Sequence, residues 1–189
     1  MRVAFLAFLL AFGLHAAARA DEAGMAALKA GGHVAMVRHG LTTPGTGDPL
    51  GFKLEDCATQ RNLIEEGREE SRKLGRLLRE RGVVIDRVQS SAWCRCVETA
   101  ELMSVGTVEK LSALNNLFGR PQNRATQVEA MRKVVAAWKG PGNLLLVTHG
   151  ATMGALVGIN PETAAGVVLA PASGTDEGFR VVGRLGPDG

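Results

Sequence analysis

The chain has no Cys-x-x-Cys pair, and its three cysteines, Cys57, Cys94 and Cys96, are the whole supply. Structural zinc sites gather thiolates at such short spacings, so no metal centre is expected. Cys57 and Arg61 are too close together for the Cys-x5-Arg spacing of a cysteine phosphatase loop. An odd cysteine count in an exported protein implies one disulfide and one free thiol. Cys57 pairs with Cys94 or with Cys96, and the sequence leaves that choice open. The chain also lacks internal repeats and low-complexity segments.

A strong excess of charge is missing too. The formal net charge is +3 over 189 residues, a length that suits one domain with a real core. Residues 1–20, MRVAFLAFLLAFGLHAAARA, have a basic start, an apolar run and a small-x-small end, the pattern of a secretory signal. An uncleaved anchor or a buried N-terminal helix are the other readings. The run from Ala4 to Leu14 is too short for an ordinary membrane span. Cleavage near Ala20 would give a periplasmic or secreted domain spanning 21–189. It would also remove Arg2 and Arg19 and no acid, lowering the charge to +1. Nucleic acid is therefore not an expected partner. Runs such as EEGREESRKLGRLLRERG mix both signs, as a solvated helix face does. No second segment is apolar enough for stable membrane insertion. Nothing in the sequence bears on oligomeric state.

What is present is an alternation of strands and helices. Short apolar runs at His33–Val37, Val88–Ser90, Leu144–Thr148, Val167–Ala170 and Phe179–Val182 read as strands, with residues 107–111 as an edge strand. Helices are expected at Ala23–Ala30, Glu65–Arg81, Trp93–Met103 with Ser91 as its cap, Ala125–Trp138 and Ala151–Val157. Residues 40–57, with four glycines and two prolines, form a long loop of the kind that is functional or disordered. Residues 112–123 form another. The expected fold is α/β: a three-layer αβα sandwich with a mainly parallel sheet and an antiparallel edge.

Two strands end alike, in VAMVRHG and LLLVTHG. Ligands of open parallel sheets sit in the crevice at the carboxyl ends of the strands. His39 and His149 are therefore expected to face one another there, each followed by a glycine that permits close backbone approach. Arg38 stands beside His39, and Arg95 lies just inside a helix that follows a strand, near the positive end of its dipole. Guanidinium groups bind phosphate through paired hydrogen bonds, so the constellation points to a phosphoryl pocket. A neutral histidine with one free nitrogen is a competent nucleophile, and arginines can supply the charge that phosphoryl transfer requires.

Arg38-His39-Gly40, Ser91-x-x-x-Arg95 with Glu98-Thr99-Ala100, Thr148-His149-Gly150 and Asn62-Leu63-x-x-x-Gly67 together resemble the histidine phosphatase superfamily, which has the phosphoglycerate-mutase-like fold. The likeness is nearest to small exported bacterial members similar to phosphohistidine phosphatases. The resemblance implies that His39 becomes phosphohistidine and that Arg38, Arg95 and His149, with Gly40, hold the phosphate. It implies no cofactor, and a small phosphorylated substrate or inorganic phosphate as partner.

The proton donor departs from that pattern. Mutase-like members place a glutamate after the second arginine helix, where this chain has Asn116. Phytase-like members place an aspartate after the second histidine, where it has Gly150. Asp48 is the first replacement candidate and Asp56 the second, although both suit turns or caps. Glu129 reads as solvated. Arg61 either reaches a second charged part of the substrate or pairs with an acid. Thr42, Thr43 and Asn116 can offer polar groups to the substrate, and Trp93 is expected to pack under Arg95. The leading expectation is a phosphatase for phosphomonoesters or phosphoramidates. A non-catalytic binder of phosphorylated ligands is the alternative, and a phosphomutase stands third.

Overall fold

The computed structural model describes residues 21–188; the expected signal segment lies outside them. Residues 21–30 are helical (α1). There follow β1 (Val34–Arg38), α2 (Glu65–Glu80), β2 (Ile85–Ser90), α3 (Cys94–Met103), β3 (Val108–Lys110), α4 (Arg124–Ala136), β4 (Asn143–Thr148), α5 (Gly150–Val157), β5 (Gly166–Pro171) and β6 (Phe179–Leu185). The six strands form one sheet in the order β3-β2-β4-β1-β5-β6. β3, β2, β4 and β1 run parallel, while β5 pairs antiparallel with both β1 and β6. The mainly parallel α/β sandwich with an antiparallel edge is the observed fold. The last two strands, β5 and β6, pair antiparallel as expected, and β5 is also antiparallel to β1.

The sheet has a core on each face. Ala35 and Val37 of β1 join Met25 and Leu28 of α1, Leu74 and Leu78 of α2, and Cys96, Ala100 and Met103 of α3. Val34 and Met36 point the other way, to Met131 and Val135 of α4 and Met153 and Leu156 of α5. This alternation follows from the two-residue period of a strand. β4 lies between two strands with helices on both faces, and all six of its residues are buried. That is why its centre, Leu144–Val147, reads as an unbroken apolar run.

Several local readings shift. Ser91 does not cap α3: Trp93 holds the N-cap position with no side-chain cap, and the Ser91 hydroxyl is used elsewhere. α4 stops at Ala136, and Trp138 lies beyond it, donating from Nε1 to the Gly142 carbonyl at 3.2 Å. The loop 112–123 contains two short 3-10 turns. Cys57 is bonded to Cys94, joining the end of the 40–57 loop to the first residue of α3, and Cys96 is the free, buried thiol. Among the described residues no helix is long and apolar enough to cross a membrane.

One contact fixes the entry to the site. The N-terminal turn of α2 lies directly on the segment that leaves β1. A Cβ on Gly67 would stand 2.1 Å from the Leu41 carbonyl oxygen, and one on Gly40 would stand 2.3 Å from the Gly67 carbonyl oxygen. Both neighbours are backbone, so neither can yield cheaply. Gly67→Ala is expected to destabilise the fold by about 1–3 kcal/mol, as overpacking does. A thermal melt should show the midpoint falling by roughly 2–12 °C for a chain of this size. An unchanged midpoint would mean that the segment after β1 moves freely.

Candidate active site

The parallel pairing of β1 with β4 sets Arg38 opposite Thr148, so the next residues, His39 and His149, emerge side by side at the carboxyl ends. The His39 amide continues the ladder, donating to the Thr148 carbonyl at 3.0 Å. The two imidazoles meet edge to face, with ring centroids 5.4 Å apart. Beside them is a cavity of about 340 Å³ lined by Arg38, His39, Arg61, Arg95 and His149, with Asn116, Phe118, Asn160 and the Gly45–Gly47 backbone.

His39 is only 4% exposed. Its Nδ1 lies 2.8 Å from the Gly40 carbonyl oxygen. A carbonyl can only accept, so Nδ1 carries the proton and Nε2 keeps its lone pair. Burial, followed by the positive charge of Arg95, brings the pKa down to about 3, against a smaller opposing pull from the Gly40 carbonyl. The ring is therefore neutral across the physiological range, as a nucleophile must be.

The three arginines share one arrangement. Arg38 donates from Nη1 to the Pro161 carbonyl at 2.8 Å, Arg61 from Nη1 to the Gly45 carbonyl, and Arg95 from Nη1 to Asp48 Oδ1 at 2.6 Å. In all three the Nε is buried with no hydrogen-bond partner. Each guanidinium is held at its far end and keeps its Nε–H unsatisfied. Orphaned buried donors are rare and costly, and three of them around one cavity make a receptor for an anion. Burial and the neighbouring Arg95 charge lower the pKa of Arg61, with Asp48 opposing.

His149 is also buried and neutral. Burial first, then the repulsion that two protonated neighbouring imidazoles would suffer and the charge of Arg95, hold its pKa well below the ordinary histidine value. Arg95 Nη2 lies 3.5 Å from its Nδ1 and can only donate, so Nδ1 is the accepting nitrogen. Nε2–H then donates to Ser91 Oγ at 2.8 Å, and the Ser91 hydroxyl lies 3.4 Å from Asn115 Oδ1. Ser91 orients the second histidine, which is why it is not a helix cap. Cys96 Sγ approaches the same ring at 3.4 Å, but burial pushes its thiol up to about 12, which keeps it protonated.

A family model for the histidine phosphatase superfamily (branch 1) matches residues 34–143, a span that carries Arg38, His39 and Arg95 and ends before His149. The chain belongs to the histidine phosphatase superfamily. Solved structures of similar fold include the protein histidine phosphatase SixA complexed with tungstate, at 20% identity and a TM-score of 0.55, covering 82% of this chain and 97% of that one. The putative phosphohistidine phosphatase SixA from Agrobacterium tumefaciens is likewise 20% identical, with a TM-score of 0.56 and the same coverage. A putative alpha-ribazole-5'-P phosphatase from Escherichia coli is 16% identical, with a TM-score of 0.59, covering 82% of this chain and 95% of that one. A search of curated proteins found no match.

Within this histidine phosphatase superfamily member, several residues lie where the sequence did not lead. Gly40 does not line the cavity: its amide donates to Thr99 Oγ1 at 3.0 Å and its carbonyl receives His39, so it serves the histidine and leaves no donor for an anion. Thr43 is exposed and away from the cavity wall, its amide bonded to the Asn62 carbonyl. Arg61 pairs with no acid side chain and turns to the cavity. Asn116 lines the cavity, its Oδ1 accepting from the Phe118 amide at 3.0 Å. Asp56 is a cap, accepting from the Ala58 amide at 3.1 Å, and Glu129 is exposed and pairs with Lys133. Trp93 packs beneath Arg120, not Arg95, with the guanidinium 5.1 Å above its ring, and its other edge meets His149.

Asp48 is the most displaced from expectation. It does not line the histidine-bearing cavity, but an adjoining cleft of about 460 Å³ bounded by Phe52, Phe118 and Arg120. Its carboxylate takes Arg95 at 2.6 and 3.2 Å and Trp93 Nε1 at 2.9 Å. Burial opposes its charge, but the Arg95 hydrogen bond and charge outweigh that and hold its pKa below the usual carboxylate range. An ionised, saturated carboxylate is poorly suited to giving a proton. Asn160 went unnoticed in the sequence. It arrives from the loop after α5, where a Cβ on Gly150 would lie 2.0 Å from its Oδ1. Nothing in its local sequence marks it. Among the described residues no cluster of three or more His, Cys, Asp or Glu could hold a metal ion.

Proposed function

We propose that the chain is a phosphatase that transfers a phosphoryl group to His39 and then to water, and that its substrates depart without a proton from the enzyme. The observation that carries this reading is the neutral His39 ring, with its lone pair on Nε2, beside three arginines whose Nε groups are buried and unpartnered. The Nε2 lone pair attacks phosphorus and the bond to the leaving group breaks, the leaving group keeping the electron pair. Arg38, Arg61 and Arg95 balance the charge on the phosphoryl oxygens. Water then attacks the phosphohistidine, the P–N bond electrons return to Nε2, and the water's protons leave with the phosphate or pass to solvent.

The cavity wall bears arginines, histidines and Asn116 but no carboxylate. A poorly basic leaving group, such as the imidazole of a phosphohistidine or a phenolate, needs acid help least. Phosphoramidates and aryl phosphates are thus the substrate class this site favours over alkyl phosphates. Export to an oxidising compartment belongs to the same reading. It rests on the signal-like residues 1–20 and is supported by the Cys57–Cys94 disulfide.

The test is chemical trapping. Denaturing the protein during turnover of p-nitrophenyl phosphate, with EDTA present, should leave an acid-labile, base-stable phosphoryl group on the peptide containing His39. Absence of both turnover and trapped phosphohistidine would leave only a phosphate-binding protein of the same fold.

A further inference from the structure

We propose that Asp48 is a positioning residue that grips Arg95 by the end of its guanidinium and so turns the opposite edge toward the histidines to receive the phosphoryl group. The inference rests on the phosphatase reading above and names what aims that site.

A guanidinium has two forked edges, one formed by Nη1 with Nη2 and the other by Nε with Nη2. Asp48 fills the first, with Oδ1 2.6 Å from Nη1 and Oδ2 3.2 Å from Nη2. The second hydrogen of Nη2 lies on the Nε side, and on that side Nη2 meets His149 Nδ1 at 3.5 Å. Nε itself is buried with no partner, and the Arg95 side chain is 1% exposed. The Nε edge of Arg95, with Nε unpartnered, thus lies beside the second histidine, in the wall of the cavity that holds His39.

Asp48 is itself held firmly. Trp93 Nε1 donates to Oδ2 at 2.9 Å, and the Arg61 amide donates to Oδ1 at 3.2 Å. With the two Arg95 donors, both oxygens are occupied. The Asp48 side chain is 2% exposed, so solvent does not screen the pair. The same loop supplies Thr46 and Gly47 to the cavity wall, so one carboxylate fixes both the arginine and the wall facing it. A carboxylate serving as the proton donor would instead need a protonated oxygen directed at the leaving group.

The test compares the full chain with Asp48→Asn and Asp48→Glu. The affinity for inorganic phosphate is measured by calorimetry. Values of kcat and KM are measured for p-nitrophenyl, phenyl and alkyl phosphates. Asp48→Asn is expected to weaken phosphate binding by about 10- to 100-fold, the worth of one charged hydrogen bond. It should lower kcat/KM for every ester by a common factor, and Asp48→Glu should recover part of both losses.

Unchanged phosphate affinity in Asp48→Asn overturns the proposal. So does a loss that grows with the basicity of the leaving group, because that pattern makes Asp48 the acid. Where Asp48→Asn fails to fold, Asp48→Glu carries the comparison. It keeps the charge but shifts the grip, so phosphate affinity must fall, and unchanged affinity overturns the proposal. Phosphate binding by the native chain without turnover refutes the hydrolase reading and leaves this test intact; no phosphate binding refutes both.

Discussion

His39→Ala is expected to lower kcat/KM for p-nitrophenyl phosphate by about 10⁴-fold or more, because losing the nucleophile removes the covalent route altogether. The alanine should also leave no trappable phosphohistidine. Folding should survive, since the ring faces a cavity and its polar contact is to the adjacent Gly40 carbonyl. The companion measurement is a proton NMR titration of the native ring. With its pKa brought down to about 3, His39 should show no inflection near pH 6.5 and should stay neutral through the whole range from pH 8 to pH 5. Residual turnover in His39→Ala within tenfold of native would move the nucleophile elsewhere.

Aryl phosphates and phosphoramidates are expected to exceed alkyl phosphates in kcat/KM by about 10²–10⁴, the contribution of a general acid. The reason is local. The position that follows the second arginine helix holds Asn116, whose Oδ1 is already committed to the Phe118 amide, and the residue after His149 is Gly150. Asp48 is ionised on Arg95. Asn116→Glu would bring a carboxyl group to the cavity wall and should narrow the gap by raising alkyl ester turnover. Equal rates for aryl and alkyl esters in the native chain would require an acid within hydrogen-bond reach of the leaving oxygen.

The strand pair that carries the histidines was legible in the sequence. VAMVRHG and LLLVTHG are apolar runs that end in the same dipeptide, and their parallel pairing follows from burial on both faces. Gly67 was legible as the end of the Asn62-Leu63-x-x-x-Gly67 motif, although its physical constraint is the Leu41 backbone lying against it. The Asp48–Arg95 pair was not, because GTGDP reads as a turn and nothing local to it announces a distant guanidinium. Ser91 was misread for a related reason. A serine before a helix ordinarily caps it, and only the arrival of His149 from another strand shows where its hydroxyl goes. Trp93 went to Arg120, because the loop carrying Arg120 folds over the indole while Asp48 takes Arg95. Local periodicity specifies elements; the polar partners depend on which loops the sheet order brings together.

The β1–β4 register has a consequence for biosynthesis. His39 directly follows β1, the first strand of the described residues, yet the imidazole beside it emerges only when β4 has been translated. Between them the chain must fold three crossovers, through α2, α3 and α4, each closed by contacts distant in sequence, and such contacts form late. A nascent or truncated product ending before β4 would carry His39 without the pairing strand and without His149. Chemical competence therefore arrives near the end of synthesis, which makes activity a stringent report of whether the whole sheet has assembled.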